Sequence, residues 1–260
     1  MRQRSAANMT NNSQEPQTAP LTAEVRTKKT VADTEISSKP QPERTIKVWD
    51  ISVRLLHWML VLGIGFLWYS GETGGNIMTW HMYVGYLMLG LVTYRVIWGF
   101  IGSKYARFGA FLTGPFVTMK YAALFLVGRE KHYLSHNPLG SWMVFILLLL
   151  VLIQASTGLF ATDDIFTEGP LYALIPSDIA DILTRIHKLN FNILLACIGA
   201  HVFAVLIHAV FKRDKLIKAM FTGNKVTHDP HAISIKEPFI RIGITAIIAF
   251  AAIYSLLQLG

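Results

Sequence analysis

Nine histidines are spread through this 260-residue chain. Five of them, His57, His81, His187, His201 and His208, fall inside or at the ends of long apolar stretches. An imidazole there can ligate a metal, relay a proton or tie two helices together. A titratable side chain in apolar surroundings is costly, which makes each one a functional candidate. Spacing narrows the choice. His187 and His201 are 14 residues apart, about 21 Å along one helix at 1.5 Å per residue. Fourteen steps of about 100° also return to nearly the same face. His81 and Arg95 are separated by the same 14 residues, and Asn76 is the midpoint between His57 and Arg95. A hairpin about Asn76 therefore sets His57 level with Arg95 and leaves His81 near the turn. Two layers result, His81 with His187 and His57 with His201.

Two imidazoles from different helices at one depth suit an iron that takes two axial ligands, as haem iron does. Zinc would want three or four ligands together, with Cys or carboxylate among them, and neither layer offers these. A proton relay would want Asp or Glu between the ends of the apolar stretches, and there are none. Bis-histidine haem is the reading that uses all four residues, with no catalytic side chain assigned. His208 shares a face with His201 but lies 7 residues further on, about 10 Å along the axis. Nothing in the first stretch matches that depth, so His201 is preferred. Arg95 on the ligand face needs an anion, and a haem propionate at the inner layer would serve. The rival role is snorkelling to the headgroups. Arg54, one turn before His57, and Arg185, beside His187, are further propionate candidates or ordinary interfacial anchors. His132, His136, His228 and His231 fall in connections, and the His228-x-x-His231 spacing without further ligands reads as a solvated loop.

The elements that must position these residues are legible in the composition. The chain is 52% hydrophobic and only 15% charged, against about a quarter charged in soluble proteins. Mean hydropathy is +0.41. Five apolar blocks, 51–69, 80–100, 141–161, 182–211 and 239–259, are each long enough to cross a bilayer, which takes about 20 residues of helix. The fold class is all-α: a polytopic membrane protein with a four-helix haem-binding bundle and a fifth, C-terminal transmembrane helix. That fifth block has no His and no ionisable residue after Arg241, so it reads as a peripheral packing helix. Phe116 to Val127 is apolar but short, preceded by Gly114-Pro115. It reads as a helix along the membrane surface.

The net charge of +8 does not indicate nucleic acid, because the basic residues follow the membrane. Connections 71–79 and 162–181 hold no Lys or Arg, whereas 102–140 carries Lys104, Arg107, Lys120, Arg129 and Lys131. Segment 212–238 adds six more basic residues. The positive-inside rule places the N-terminus in the cytoplasm and, with five spans, the C-terminus outside. Residues 1–45 have the polar composition of a disordered cytoplasmic tail. Residues 46–225 form the haem-binding domain, and 226–260 the cytoplasmic linker and fifth helix. Cys197 is the only cysteine; it excludes an internal disulfide and any C-x-x-C-H haem attachment, and reads as a packing residue.

Several motifs carry a family likeness between Lys47 and about Lys225. They are Val48-Trp49-Asp50 followed by Arg54-Leu55-Leu56-His57-Trp58, His81 with Gly85-Tyr86, and Arg95 with Trp98-Gly99. Tyr105-Ala106-Arg107-Phe108, His136-Asn137-Pro138-Leu139-Gly140, His187, His201 and Lys218-Ala219-Met220-Phe221-Thr222-Gly223 complete them. The chain resembles the bacterial cytochrome b561 group and the related b-type cytochrome subunits of membrane-bound nickel–iron hydrogenases. The resemblance implies a four-helix core in the bacterial inner membrane, two non-covalent haems b and electron exchange with the quinone pool. His57, His81, His187 and His201 fall at the positions the family uses for iron. The long tail and fifth span depart from the compact members.

The function expected is transmembrane electron transfer between quinone in the lipid bilayer and a redox partner at its surface, either a periplasmic cytochrome c or a docked oxidoreductase subunit. Gln154 and His136 are the polar groups to examine for a quinone carbonyl. One rival is a free-standing oxidoreductase acting on a small molecule such as superoxide. The acidic loop from Asp163 to Asp181 would repel such an anion. The other rival is a haem-free transporter or structural subunit, against which the lack of intramembrane carboxylates weighs.

Overall fold

Inside a bilayer a segment must satisfy its own backbone N–H and C=O groups, so uninterrupted apolar runs fold as helices. The computed structural model describes residues 42–129, 133–163, 167–211 and 214–259. Its elements, in chain order, are strand β1 (Arg44–Lys47), helix α1 (Ile51–Thr73), a 3-10 turn at Gly75–Ile77 and helix α2 (Met78–Ile101). Then come two short helices, α3 (Phe108–Phe111) and α4 (Pro115–Leu126), and the long α5 (Pro138–Gly158). After a 3-10 turn at Tyr172–Leu174 follow α6 (Ser177–Val210), α7 (Leu216–Thr222), strand β2 (Asn224–Thr227) and α8 (Phe239–Leu257). Five of the described helices, α1, α2, α5, α6 and α8, are long and apolar enough to span a membrane. The protein is an all-α polytopic membrane protein, with one two-stranded ribbon.

The helices differ from the apolar blocks mainly at their ends. Helix α6 has 34 residues, about 51 Å of helix, well beyond the ~30 Å hydrocarbon core. Hydropathy stops counting at Asp178 and Asp181, but the helix continues into the headgroup zone, where charge carries no penalty. Helix α5 instead stops at Gly158, short of the expected end at 161. The Thr157 hydroxyl there bonds back to the Ile153 carbonyl at 2.7 Å. A short helix, α4, stands where one was expected over 116–127, with Pro115 in its first turn. The Trp142 indole donates to the Thr113 carbonyl at 3.1 Å and ties α4 to α5.

Helix α1 packs on α2, α2 on α5 and α8, and α5 on α6. Leu89, Val92, Val151, Leu194 and Ile253 form the mid-bundle core. The fifth helix is seated against α2 at Gly90, where a Cβ would come within 2.5 Å of the Phe250 ring. Only glycine permits that approach.

At the end of the bundle where α1 begins, a second core gathers Val48, Trp49, Tyr94 and Trp98. Burying an aromatic of this size contributes roughly 1.5–3 kcal/mol. β1 and β2 pair antiparallel, with Arg44 opposite Thr227 and Lys47 opposite Asn224. Arg44 and Thr45, expected in the tail, thus belong to a strand; residues 1–41 lie outside the described residues. The linker after β2 lies along the other edge, with Ile235 N–H on the Lys47 carbonyl at 3.0 Å. Glu237 accepts from the first amide of α1, at Ile51, and from Lys47 Nζ, both at 3.0 Å. So the linker expected as a separate segment is hydrogen-bonded to the start of α1.

Asp50 joins the two helices that carry His57 and Arg95. It is fully buried and caps α1 by accepting from Val53 N–H at 2.9 Å. Its other partners are Ser52 Oγ at 2.7 Å, the Trp98 indole at 3.1 Å and the Ser103 hydroxyl. Four donors, helped by the positive end of the helix, compensate a carboxylate in this position.

Candidate metal centre

At one end of the bundle the structure brings His81 and His187 together, with ring centroids 6.5 Å apart and planes inclined by 63°. His81 stands in the first turn of α2, just past Gly74 and Gly75, whose positive φ values close the turn from α1. Ser70 of α1 faces it. The Ser70 hydroxyl donates to the Leu67 carbonyl at 3.2 Å, so its oxygen is left to accept from His81 Nδ1 at 3.0 Å. His187, on α6, places Nδ1 2.9 Å from the Gln154 carbonyl of α5 and 3.2 Å from Thr157 Oγ1. A carbonyl only accepts, so the proton of His187 resides on Nδ1.

Both rings are therefore held in the tautomer whose Nε2 carries a bare lone pair, the form that ligates a metal. Two imidazoles sharing one ion at metal–nitrogen bonds of about 2 Å have centroids ~6 Å apart. The observed spacing fits. Gly158 matters to this arrangement, because a Cβ there would lie 3.0 Å from His187 Cε1 and 3.3 Å from its Nδ1. Gln154 Oε1 also accepts from Asn190 Nδ2 at 2.7 Å, which locks α5 to α6 beside the site.

At the other end, His57 of α1 and His201 of α6 lie within electrostatic reach of each other. The His57 ring meets Trp58 edge-on at 5.0 Å. Arg95 is 4% exposed, donates through Nη2 to the Ala106 carbonyl at 3.2 Å and stands 5.0 Å from the Phe108 ring centroid. Arg54 reaches the Phe221 carbonyl at 2.5 Å and Glu237 at 3.8 Å. Buried polar atoms without a hydrogen-bond partner here include His57 Nδ1, Trp58 Nε1, Arg54 Nε and Arg95 Nη1. An orphaned buried group costs roughly 1–3 kcal/mol. Open donors on two arginines and an indole fit a ligand that brings carboxylates. The propionates of a haem have that chemistry.

His208, the competitor of His201, bonds Asp214 at 3.1 Å and stacks on Phe125. His136 lies between Trp49 and Phe111, each 4.6 Å away by ring centroid. Burial, with the nearby charges of Arg95 and Lys225 and the proximity of His201, pushes its pKa down to about 3. His228 is exposed near Glu43 at 3.9 Å, His231 is exposed, and His132 lies outside the described residues. No cluster of three or more His, Cys, Asp or Glu able to hold a bare metal ion occurs among the described residues. Arg185 is exposed beside His187, and Cys197 is a free, half-buried thiol.

The sequence reading left out Ser70 and Thr157, and named Asp50 only within the Val48-Trp49-Asp50 motif. Ser70 could have been found, since it and His81 flank Asn76 almost symmetrically in the hairpin. The Gln154 carbonyl is backbone and leaves no mark in the sequence.

Known proteins resemble the chain in sequence. Residues 48–223 match the family described as prokaryotic cytochrome b561. Relatives include the "Probable Ni/Fe-hydrogenase B-type cytochrome subunit" of Rhizobium leguminosarum bv. viciae, 25% identical over 72% of this chain and 91% of the relative. The "Probable Ni/Fe-hydrogenase 1 B-type cytochrome subunit" of Escherichia coli (strain K12) is 25% identical over 73% of this chain and 94% of its own length. A similarly named protein of Azotobacter vinelandii is 24% identical over 74% and 92%. No solved structure matches the chain. A bundle of membrane-spanning helices with paired imidazoles, matched by this family over 48–223, makes the chain a member of the prokaryotic cytochrome b561 family.

Proposed function

We propose that the protein is a di-haem b-type cytochrome that carries electrons across a bacterial cytoplasmic membrane, between the quinone pool and a redox partner at the membrane surface. The observation that carries this reading is the His81–His187 pair, spaced for one ion with both Nδ1 atoms held by oxygens. By this reading His57 and His201 ligate the second haem, and Arg95 and Arg54 receive its propionates. A bound haem supplies reversible one-electron chemistry. The chain's own part is to hold the four imidazoles on three rigid helices, α1, α2 and α6, and to exclude water with the Leu89, Val92 and Leu194 core between the layers.

The basic connections argue for placing the Asp50 end in the cytoplasm and the His81 end outside. The connection that carries Asp163, Glu168, Asp178 and Asp181 then lies outside as well. The relatives' names favour a docked oxidoreductase subunit of hydrogenase type as partner over a soluble cytochrome c. The test uses proteoliposomes with trapped ferricyanide and an added quinol. Haem-loaded protein is expected to bleach the trapped ferricyanide, and His81→Ala to abolish bleaching. Bleaching at the same rate in that variant would contradict the path.

A further inference from the structure

The end of α2, the start of α8 and the connections beside them enclose an open groove of about 590 Å³. Lys104 and Arg107 stand on one wall, Lys236 and Arg241 on the other, and all four are exposed. The one acidic lining residue, Glu237, already holds Lys47 and the Ile51 amide. So the groove has a surplus of positive charge, increased by the positive end of α8. It also has an apolar border. Phe100 and Ile101 close α2, Phe239 and Ile240 open α8, and all four are exposed, Ile240 at 80%. Cations facing a pocket immediately beside the exposed apolar ends of two spanning helices match a molecule with an anionic head and hydrocarbon tails. A free phosphate would leave the apolar border without a role.

We infer that this groove binds the headgroup of an anionic phospholipid, with Lys104, Arg107, Lys236 and Arg241 on the phosphate and the acyl chains along Phe100 and Ile240. Such a lipid would sit between α2 and α8 and hold the fifth helix to the bundle. Nothing in this site depends on the haem assignment.

Native mass spectrometry of the full chain in detergent tests it, with added phosphatidylglycerol, phosphatidylcholine or inorganic phosphate. The expected result is a saturable phosphatidylglycerol adduct, with phosphatidylcholine and inorganic phosphate binding far more weakly. In Lys104→Gln/Lys236→Gln/Arg241→Gln the adduct should weaken by about fivefold for each charge removed. A second variant, Lys215→Gln/Lys218→Gln, removes exposed charge away from the groove and should bind as the unmodified chain does. Equal binding of phosphatidylcholine, full competition by inorganic phosphate, or equal loss in the second variant would overturn the assignment. So would undiminished binding in the triple variant.

Discussion

The imidazoles of His81 and His187 face each other at 6.5 Å, and each turns its Nδ1 to an oxygen supplied by a neighbouring helix. Ser70 of α1 orients a ring on α2, and the closing turn of α5 orients a ring on α6. One site therefore records the relative positions of four helices. Helix α8 packs against α2.

Pairing is the first consequence. Replacing His81 or His187 by Ala should remove one and the same component from a redox titration followed by absorbance. Replacing His57 or His201 should remove the other. If His81→Ala and His201→Ala eliminated a common component, the two-layer assignment would be wrong.

The Nδ1 bonds differ in redundancy, and that difference is measurable. His187 keeps the Gln154 carbonyl at 2.9 Å when Thr157 is replaced by Val, whereas Ser70→Ala removes the hydroxyl oxygen 3.0 Å from His81 Nδ1. Losing a partner behind a ligand typically costs 10- to 100-fold in affinity. Ser70→Ala should therefore weaken haem retention on dilution and alter the low-spin g values in electron paramagnetic resonance. Thr157→Val should do so much less. Equal effects would assign the orientation to packing alone.

Arg95 acts through charge. Its buried cation disfavours loss of an electron nearby, so Arg95→Gln should lower the midpoint potential of the inner haem. The shift is tens of millivolts, since a one-electron couple moves about 59 mV per tenfold in equilibrium constant. The outer layer is about 21 Å away along the helix and should move far less. Unchanged potentials would remove the propionate role.

Asp50 carries stability rather than redox chemistry. Asp50→Ala would strip partners from Trp98, Ser103 and the Val53 amide at once. A lost cap costs about 1 kcal/mol, and each unsatisfied buried donor roughly 1–3 kcal/mol, so a total of about 3 kcal/mol or more is expected. Asp50→Asn keeps the cap oxygen and should lose less. Thermal unfolding in detergent compares them, and equal melting of the two variants would refute the hub role.

The approach of His81 to His187 and the spanning helices were legible because both depend on periodicity, the 14-residue return of a helix and the length of an apolar run. The start of α6 was not, since hydropathy reports the hydrocarbon and not the helix that extends beyond it. The β1–β2 ribbon left no signal either. Its strands have four residues each, too few for an alternating pattern, and they pair across most of the chain. Glu237 capping the first amide of α1 is a contact of the same distant kind. Asp50 was readable as a helix cap from its place before Ile51, but its bonds to Trp98 and Ser103 needed the packed structure.

Haem content per chain bears most directly on the proposed function. Protein purified from haem-sufficient cells, extracted with acid acetone and assayed as the pyridine haemochrome, is expected to yield two haems b per chain. Free extraction is required because Cys197 stands in no C-x-x-C-H attachment sequence. Two haems would match the pairs His81–His187 and His57–His201, whereas one haem or none in well-folded protein would contradict the di-haem reading.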